Sequence, residues 1–286
     1  MRVSRSRLAD SVITLNRDAP IGIFDSGIGG LSVLRHVHTL LPDESLLYFA
    51  DSGFAPYGEK PEAVIVERAV SIAAFLLTQN IKALVVACNT ATAAAIAGLR
   101  ARYPELPVVG VEPGLKPAAS LTHSGTIGVL ATASTLASEK FVKLQSQVAQ
   151  DSRVTFLLQP CNGLAHQIEK GELNSRETQQ LVERYVAPLL AQHADTLVLG
   201  CTHYPFVEQL IRDVAGPEVK IVDTGEPVAR QLQRLLEQRD LLRQLPATDR
   251  LMAFTTGSSS TLSLAFSKLL RLEALVQVVS ATHMNH

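Results

Sequence analysis

Two cysteines are placed where they could do chemistry. Cys88 closes the apolar run "VVAC" and is followed by Asn89 and Thr90, while Cys201 closes "LVLGC" and is followed by Thr202 and His203. A free cysteine is most often a small buried hydrophobe, and that reading suits Cys161 in "LLQPCNG". The other two depart from it, because each passes from a strand-like run into hydrogen-bonding residues ahead of a segment with helical spacing. The start of a helix offers backbone N–H groups and a positive dipole end, which favour a thiolate and bind a carboxylate equally well. One such thiol suggests a nucleophile. Two in matching places suggest a proton taken from one face of a carbon and returned to the other. Enantiomers have equal free energies, so a matched pair of acid/bases is suited to that inversion. Thiols, with an ordinary pKa of about 8.5, need only modest tuning to act either way near neutral pH.

The elements that must hold these thiols show as an alternation. Short β-rich runs stand at 21–24, 46–50, 83–87, 107–111, 126–131, 154–158, 196–200 and 219–223, and again in "LMAFTTG" and "ALVQVV" near the end. Helical stretches lie between them, such as 31–41 with Leu31, Leu34, Val37 and Leu41 on one stripe. Pro61 opens another, running to about Asn80. The run "ALVVA" lacks polar alternation, as expected of a strand covered on both faces. Ser134 is read as a helix cap, and "NSRE" (174–177) as a capping box opened by Asn174. Strands alternating with helices in this way imply parallel sheets built from β-α-β units.

The pattern also repeats. Cys88 and Cys201 are 113 positions apart, and the same shift carries "VVGVEP" onto "IVDTGE"; "IGIFDSG" and "IGVLATA" begin 106 apart, at Ile21 and Ile127. The expected fold is α/β, with two similar domains related by a pseudo-two-fold. Each holds a mainly parallel sheet flanked by helices, and the site lies in the cleft between them. The C-terminal ends of parallel strands are where such sheets place ligand crevices. The division read from the sequence is an extension over 1–20, a first domain of 21–114 plus 225–286, and a second of 115–224.

Composition removes several classes. Of 286 residues 47% are apolar and 19% charged, with a formal net charge of −1, enough for an ample core. Lys and Arg are dispersed, so nucleic acid is not an expected partner. With no run of 18 apolar residues, neither is a membrane. Three cysteines without a C-x-x-C pair form neither a disulfide framework nor a structural zinc site. The first 20 residues carry four arginines and no apolar core. They fail as a secretory signal and read as a frayed extension of a cytoplasmic protein, with a transit peptide as the rival reading.

Together, "IFDSGIGGLSV" (23–33), "PYGEK" (56–60), "ACNTA" (87–91), "VGVEPGLKPA" (109–118), "LGCTHYP" (199–205) and "VDTGE" (222–226) resemble the glutamate racemases of the cofactor-independent aspartate/glutamate racemase superfamily. The resemblance spans about Ile21 to Arg230 and is loose beyond. It implies a cleft that holds glutamate without pyridoxal phosphate or metal, and D-glutamate made for peptidoglycan precursors. By the same resemblance Cys88 and Cys201 are the proton-transfer residues, Cys88 acting on D-glutamate and Cys201 on L-glutamate. Asp25 assists Cys88; His203 and Glu169 assist Cys201. Asp25, Ser26, Tyr57, Gly58, Asn89, Thr90, Thr202 and His203 match positions that line the substrate. A UDP-linked cell-wall precursor as activator and a homodimer are the further partners the resemblance allows.

Blander readings stand beside these. "DSGIGG" could be a phosphate loop, but it lacks the G-x-G-x-x-G spacing. Asp25 could simply cap a turn before Gly27. Glu172 competes with Glu169 within "IEKGE", and the "CNGLAHQ" stretch departs from the family pattern. His36, His38, His123, His166, His193, His283 and His286 are read as surface or satisfied core. An aspartate racemase, or a one-thiol lyase or hydrolase on the same scaffold, is the alternative function. A binding protein that kept the fold and lost the chemistry is a third.

Overall fold

The computed structural model describes residues 15–248 and 251–280; His283, His286 and the first 14 residues of the extension lie outside them. Strands β1 (Ile21–Asp25), β2 (Leu46–Ala50), β3 (Ala83–Val86) and β4 (Val108–Gly110) alternate with helices α1 (Leu31–Leu40), α2 (Glu62–Thr78) and α3 (Asn89–Arg102). Helix α4 (Leu115–Leu121) then leads into β5 (Thr126–Ala131), α5 (Ala133–Ala137), α6 (Glu139–Ser152), β6 (Thr155–Pro160), α7 (Leu164–Glu169), α8 (Arg176–Leu190), β7 (Thr196–Gly200), α9 (Glu208–Ala215) and β8 (Lys220–Val222). Last come α10 (Gly225–Gln238), β9 (Leu251–Thr255), α11 (Ser259–Ala265) and β10 (Leu275–Val278).

Two sheets result, one ordered β10-β9-β2-β1-β3-β4 and the other β6-β5-β7-β8, with every strand pair parallel. The order β2-β1-β3-β4 is repeated as β6-β5-β7-β8, so the 113-residue offset between the thiols is a true topological equivalence. The chain crosses between sheets twice, after β4 and after β8. β1, β3 and β7 are buried at every position, which is why their sequences show no polar alternation. On the outer layer, α1 packs against α10, whose Val228, Ala229, Leu232 and Leu236 recur on one helical stripe and are buried. One apolar cluster joins the sheets: Val85 and Ala87 belong to it together with Leu130, Ile168 and Leu199.

Three local expectations are corrected. The cap of α5 is Thr132, whose Oγ1 accepts the Thr135 N–H, and that of α6 is Ser138; Ser134 caps neither. Helix α8 is capped by Ser175, which accepts the Thr178 N–H at 3.2 Å, not by Asn174. In both places a neighbouring hydroxyl lies in extended backbone, the geometry an N-cap requires. Residues 15–20 are not frayed. Leu15 packs against the cluster that joins the sheets and against a second one that includes Phe24, Phe49 and Val86, and the buried Lys82 ammonium donates to Arg17 O while pairing with Glu44 at 2.5 Å.

Candidate active site

Strand β3 delivers Cys88 to the start of α3, where it is the N-cap: its sulfur accepts the Ala91 N–H at 3.4 Å. Ser26 Oγ lies 4.0 Å from the same sulfur. Strand β7 delivers Cys201 to the turn Tyr204–Val207 in the equivalent place. Both thiols are buried, and both line one cavity with Ser26, Tyr57, Gly58, Asn89, Thr90, Thr202 and His203. The cavity lies between the C-terminal ends of the two sheets; of the residues selected from the sequence, Asp25 and Glu169 do not line it but stand behind the wall, in contact with Thr202 and His203.

The two thiols are supported differently. His203 Nδ1 lies 3.5 Å from Cys201 Sγ, and its Nε2 lies 2.5 Å from Glu169 Oε1. A doubly protonated imidazolium satisfies both neighbours when the thiol is ionised. Burial pushes the His203 pKa down, but the hydrogen bonds and charges of Cys201 and Glu169 outweigh it and hold it well above the ordinary value. Among the described residues no imidazole acts on Cys88. Burial, then the Asp25 charge, pushes its pKa up, against the Ala91 N–H. Burial likewise raises Asp25, offset in part by His203 and the Gly27 N–H.

Asp25 and Glu169 tie the two halves together. Thr202 Oγ1 donates to Asp25 Oδ2 at 3.0 Å, Ser32 Oγ donates to Thr202 O at 2.8 Å, and the Ile28 N–H donates to Glu169 Oε1 at 2.8 Å. Asp25 also accepts the Gly27 N–H, so the turn-capping role holds as well. The glycines of "DSGIGG" serve close approach: a Cβ at Gly27 would collide with the Glu169 carboxylate, and one at Gly29 with the His203 ring. Glu169, not Glu172, is the acid at the site. Helix α7 that carries it is preceded by Gly163 at its N-cap, in the left-handed region at φ 80°. Asp25, Glu169 and His203 bring donor atoms within 4.8 Å of one another, a spacing a cation could use. Those atoms are engaged with Gly27, Ile28, Thr202 and each other, so a metal would have to displace bonds already made.

Asn89 is buried, with no hydrogen-bond partner for its amide oxygen or nitrogen among the described residues. A buried amide facing a cavity calls for a hydrogen-bond partner there, which water or a ligand would supply. Tyr57 lines the cavity, and its hydroxyl is committed to Asp51, to which it donates at 2.5 Å. Thr132 was not singled out in the sequence. It lines the cavity, and its hydroxyl lies 3.1 Å from that of Thr90, with Thr135 3.2 Å from Thr90. The 106-residue offset that relates Ile21 to Ile127 carries Ser26 onto Thr132, a signal that could have found it. Cys161 stays outside the cavity as a buried thiol donating to Gln159 O. Of the remaining histidines, half-buried His36 pairs with Asp223 at 3.6 Å.

Paired thiols at equivalent strand ends are matched by family-level similarity over most of the chain. The family model described as Asp/Glu/Hydantoin racemase matches residues 21–232. The chain belongs to that family. The glutamate racemase of Ectopseudomonas mendocina (strain ymp) is 58% identical over 229 residues, 80% of this racemase-family chain and 86% of that protein. The structure of glutamate racemase isoform RacE1 from Bacillus anthracis matches with a TM-score of 0.83 at 32% identity, covering 93% of this chain and 99% of that one. The Escherichia coli glutamate racemase, solved with L-glutamate and the activator UDP-MurNAc-Ala, matches with a TM-score of 0.81 at 32% identity, covering 92% and 98%. Among the described residues no helix is long and apolar enough to cross a membrane.

Proposed function

We propose that this chain interconverts L- and D-glutamate by a two-base mechanism, with one thiol on each face of the substrate. The observation that carries the proposal is the pair of buried thiols at topologically equivalent strand ends, facing one cavity. Glutamate is favoured over aspartate because the relatives at 52–58% identity carry the glutamate name. A lyase or hydrolase needing one thiol leaves the second one without a task.

In the forward direction the Cys201 thiolate, held by the His203 imidazolium and Glu169, takes the α-proton of L-glutamate. The Cys88 thiol gives its proton to the opposite face, and the reverse sequence starts from D-glutamate. The Asp25 charge, which raises the Cys88 pKa, keeps that thiol protonated until the substrate carbanion takes its proton. Charge building on the substrate carboxylate is met by Asn89, Thr90, Ser26 and backbone N–H groups, while Thr202 lines the wall with its hydroxyl donated to Asp25. Tyr57 and Gly58 close the opposite wall. The chain divides into a domain of 21–114 with 225–286 and a domain of 115–224, and the product serves peptidoglycan synthesis in the cytoplasm. The test is circular dichroism of L-glutamate with purified protein and no added cofactor. The signal should decay to zero from either enantiomer and survive dialysis against chelator. Activity lost on chelation and restored by zinc would overturn the thiol-only mechanism.

Activation by a UDP-linked precursor is supported by a cavity of about 440 Å³ at the end of α3 away from Cys88, lined by Arg100, Tyr103, Gln231 and Arg239. Guanidiniums and an aromatic ring suit a nucleotide diphosphate. UDP-MurNAc-Ala should raise turnover, and Arg100→Ala with Arg239→Ala should remove that response. Identical turnover with and without the nucleotide would refute it.

A further inference from the structure

The loop between β2 and α2 brings Pro56, Tyr57 and Gly58 to the cavity, and its fastening lies outside the cavity. Asp51, at the head of the loop, is completely buried. Its carboxylate accepts Tyr57 Oη at 2.5 Å, Arg68 Nε at 2.9 Å, Arg68 Nη2 at 2.7 Å and Thr256 Oγ1 at 2.8 Å. Thr256 Oγ1 in turn accepts the Gly53 N–H at 3.0 Å, and the Arg68 guanidinium lies 3.9 Å from the centre of the Phe54 ring. The loop is thus held at positions 51, 53, 54 and 57 by one network. The Asp51 N–H donates to Asp25 O at 3.0 Å, which joins the network to the strand end that carries Asp25. At the rim, a Cβ on Gly58 would lie 2.9 Å from Thr132 across the cleft, so small movements of the loop change how the cavity closes. Thr256 follows β9, beyond the residues 21–232 that match the family model.

We infer that Asp51, Arg68 and Thr256 form a positioning device for glutamate: they hold the Pro56-Tyr57-Gly58 wall in the shape that binds substrate, and none of them takes part in proton transfer. This rests on the glutamate racemase reading above. The bidentate Arg68–Asp51 pair supplies direction as well as charge. A four-bond carboxylate with no water access has one low-energy arrangement. Burial and the Asp51 charge push the Tyr57 phenol up, so it stays a donor throughout the reaction. Tyr57 therefore contributes to the site through its ring and the position of its backbone.

Tyr57→Phe and Thr256→Val each remove one neutral hydroxyl without stranding a charge, and Arg68→Lys keeps the charge but cannot make both bonds. Kinetics would be followed by circular dichroism in both directions, with thermal unfolding and calorimetric binding of glutamate alongside. Because the device acts on uniform binding of substrate and transition state, KM for both enantiomers should rise about fivefold or more in Thr256→Val and Arg68→Lys, with kcat within about threefold. The calorimetric Kd should weaken in parallel. Folded variants with unchanged KM and Kd, or with kcat lost at unchanged KM, would overturn the inference. The calorimetric arm reads it even if the wild-type chain fails to racemise glutamate, a result that would sink the functional reading instead.

Discussion

Replacing Glu169 by glutamine tests the asymmetry between the two thiols. The carboxylate lies 2.5 Å from His203 Nε2 and 2.8 Å from the Ile28 nitrogen. Glutamine still accepts the Ile28 N–H, so the tie between the two halves survives and only the charge is lost. An opposite charge at hydrogen-bond distance is worth roughly 1–3 pH units to its partner, or about 1.4–4 kcal/mol. The His203 imidazolium beside Cys201 is destabilised by that amount, so racemisation should slow by ~10- to 1000-fold. Enantiomers are equal in energy, so kcat/KM for racemisation must fall by the same factor from either side and cannot show which thiol was weakened. Elimination from a glutamate analogue with a β leaving group can, because it needs deprotonation on one face only. Elimination from the enantiomer that Cys201 deprotonates should fall with racemisation, while the other should stay within about threefold. Equal losses for both enantiomers, or racemisation unchanged, would refute the reasoning.

Two predictions concern stability. Asp195 accepts Thr122 Oγ1 and the His123 and Ser124 N–H groups. Burial raises its pKa, but these bonds win and bring it from 3.8 to about 2. A depressed carboxylate pKa gives stability that is present above the unfolded value and lost as pH falls from about 4 through 2; solvent screening of this partly exposed group leaves roughly 1 kcal/mol. Asp195→Ala should therefore lower Tm at pH 7 and flatten its fall between pH 4 and 2 with kcat unchanged; an unaltered Tm-against-pH curve would contradict this. Deleting residues 1–20 removes Arg17 O and Pro20 O, which accept the Lys82 Nζ and N–H. Two lost bonds at about 1 kcal/mol each should lower Tm by roughly 5 °C, and an unchanged melting curve would show that 15–20 do not support the fold.

Much of the strand pattern was legible because β1, β3 and β7 are buried on both faces and so read as unbroken apolar runs. The paired thiols were legible because strand and turn repeat at nearly constant spacing. What the sequence could not show was which neighbour takes a cap: Thr132, Ser134 and Ser138 differ in backbone angle, not in chemistry. It could not show that the Tyr57 hydroxyl is committed to Asp51, since Asp51, Arg68 and Thr256 meet only once β9 lies beside β2. Nor could it show the packing of residues 15–20, which depends on a buried Lys82–Glu44 pair between distant segments. Glu169 was drawn out by resemblance alone; the structural reason is its contact with His203 and the space left by Gly27.

The central claim is that Cys88 and Cys201 flank one carbon, each as the acid/base for its own face. Serine keeps the shape of cysteine but is a poor proton-transfer base at neutral pH, so Cys88→Ser and Cys201→Ser should each abolish racemisation while still binding glutamate. With the β-leaving-group analogue, each variant should still eliminate from one enantiomer, and the two should prefer opposite ones. The same handedness in both variants, or full racemase activity in either, would contradict the account.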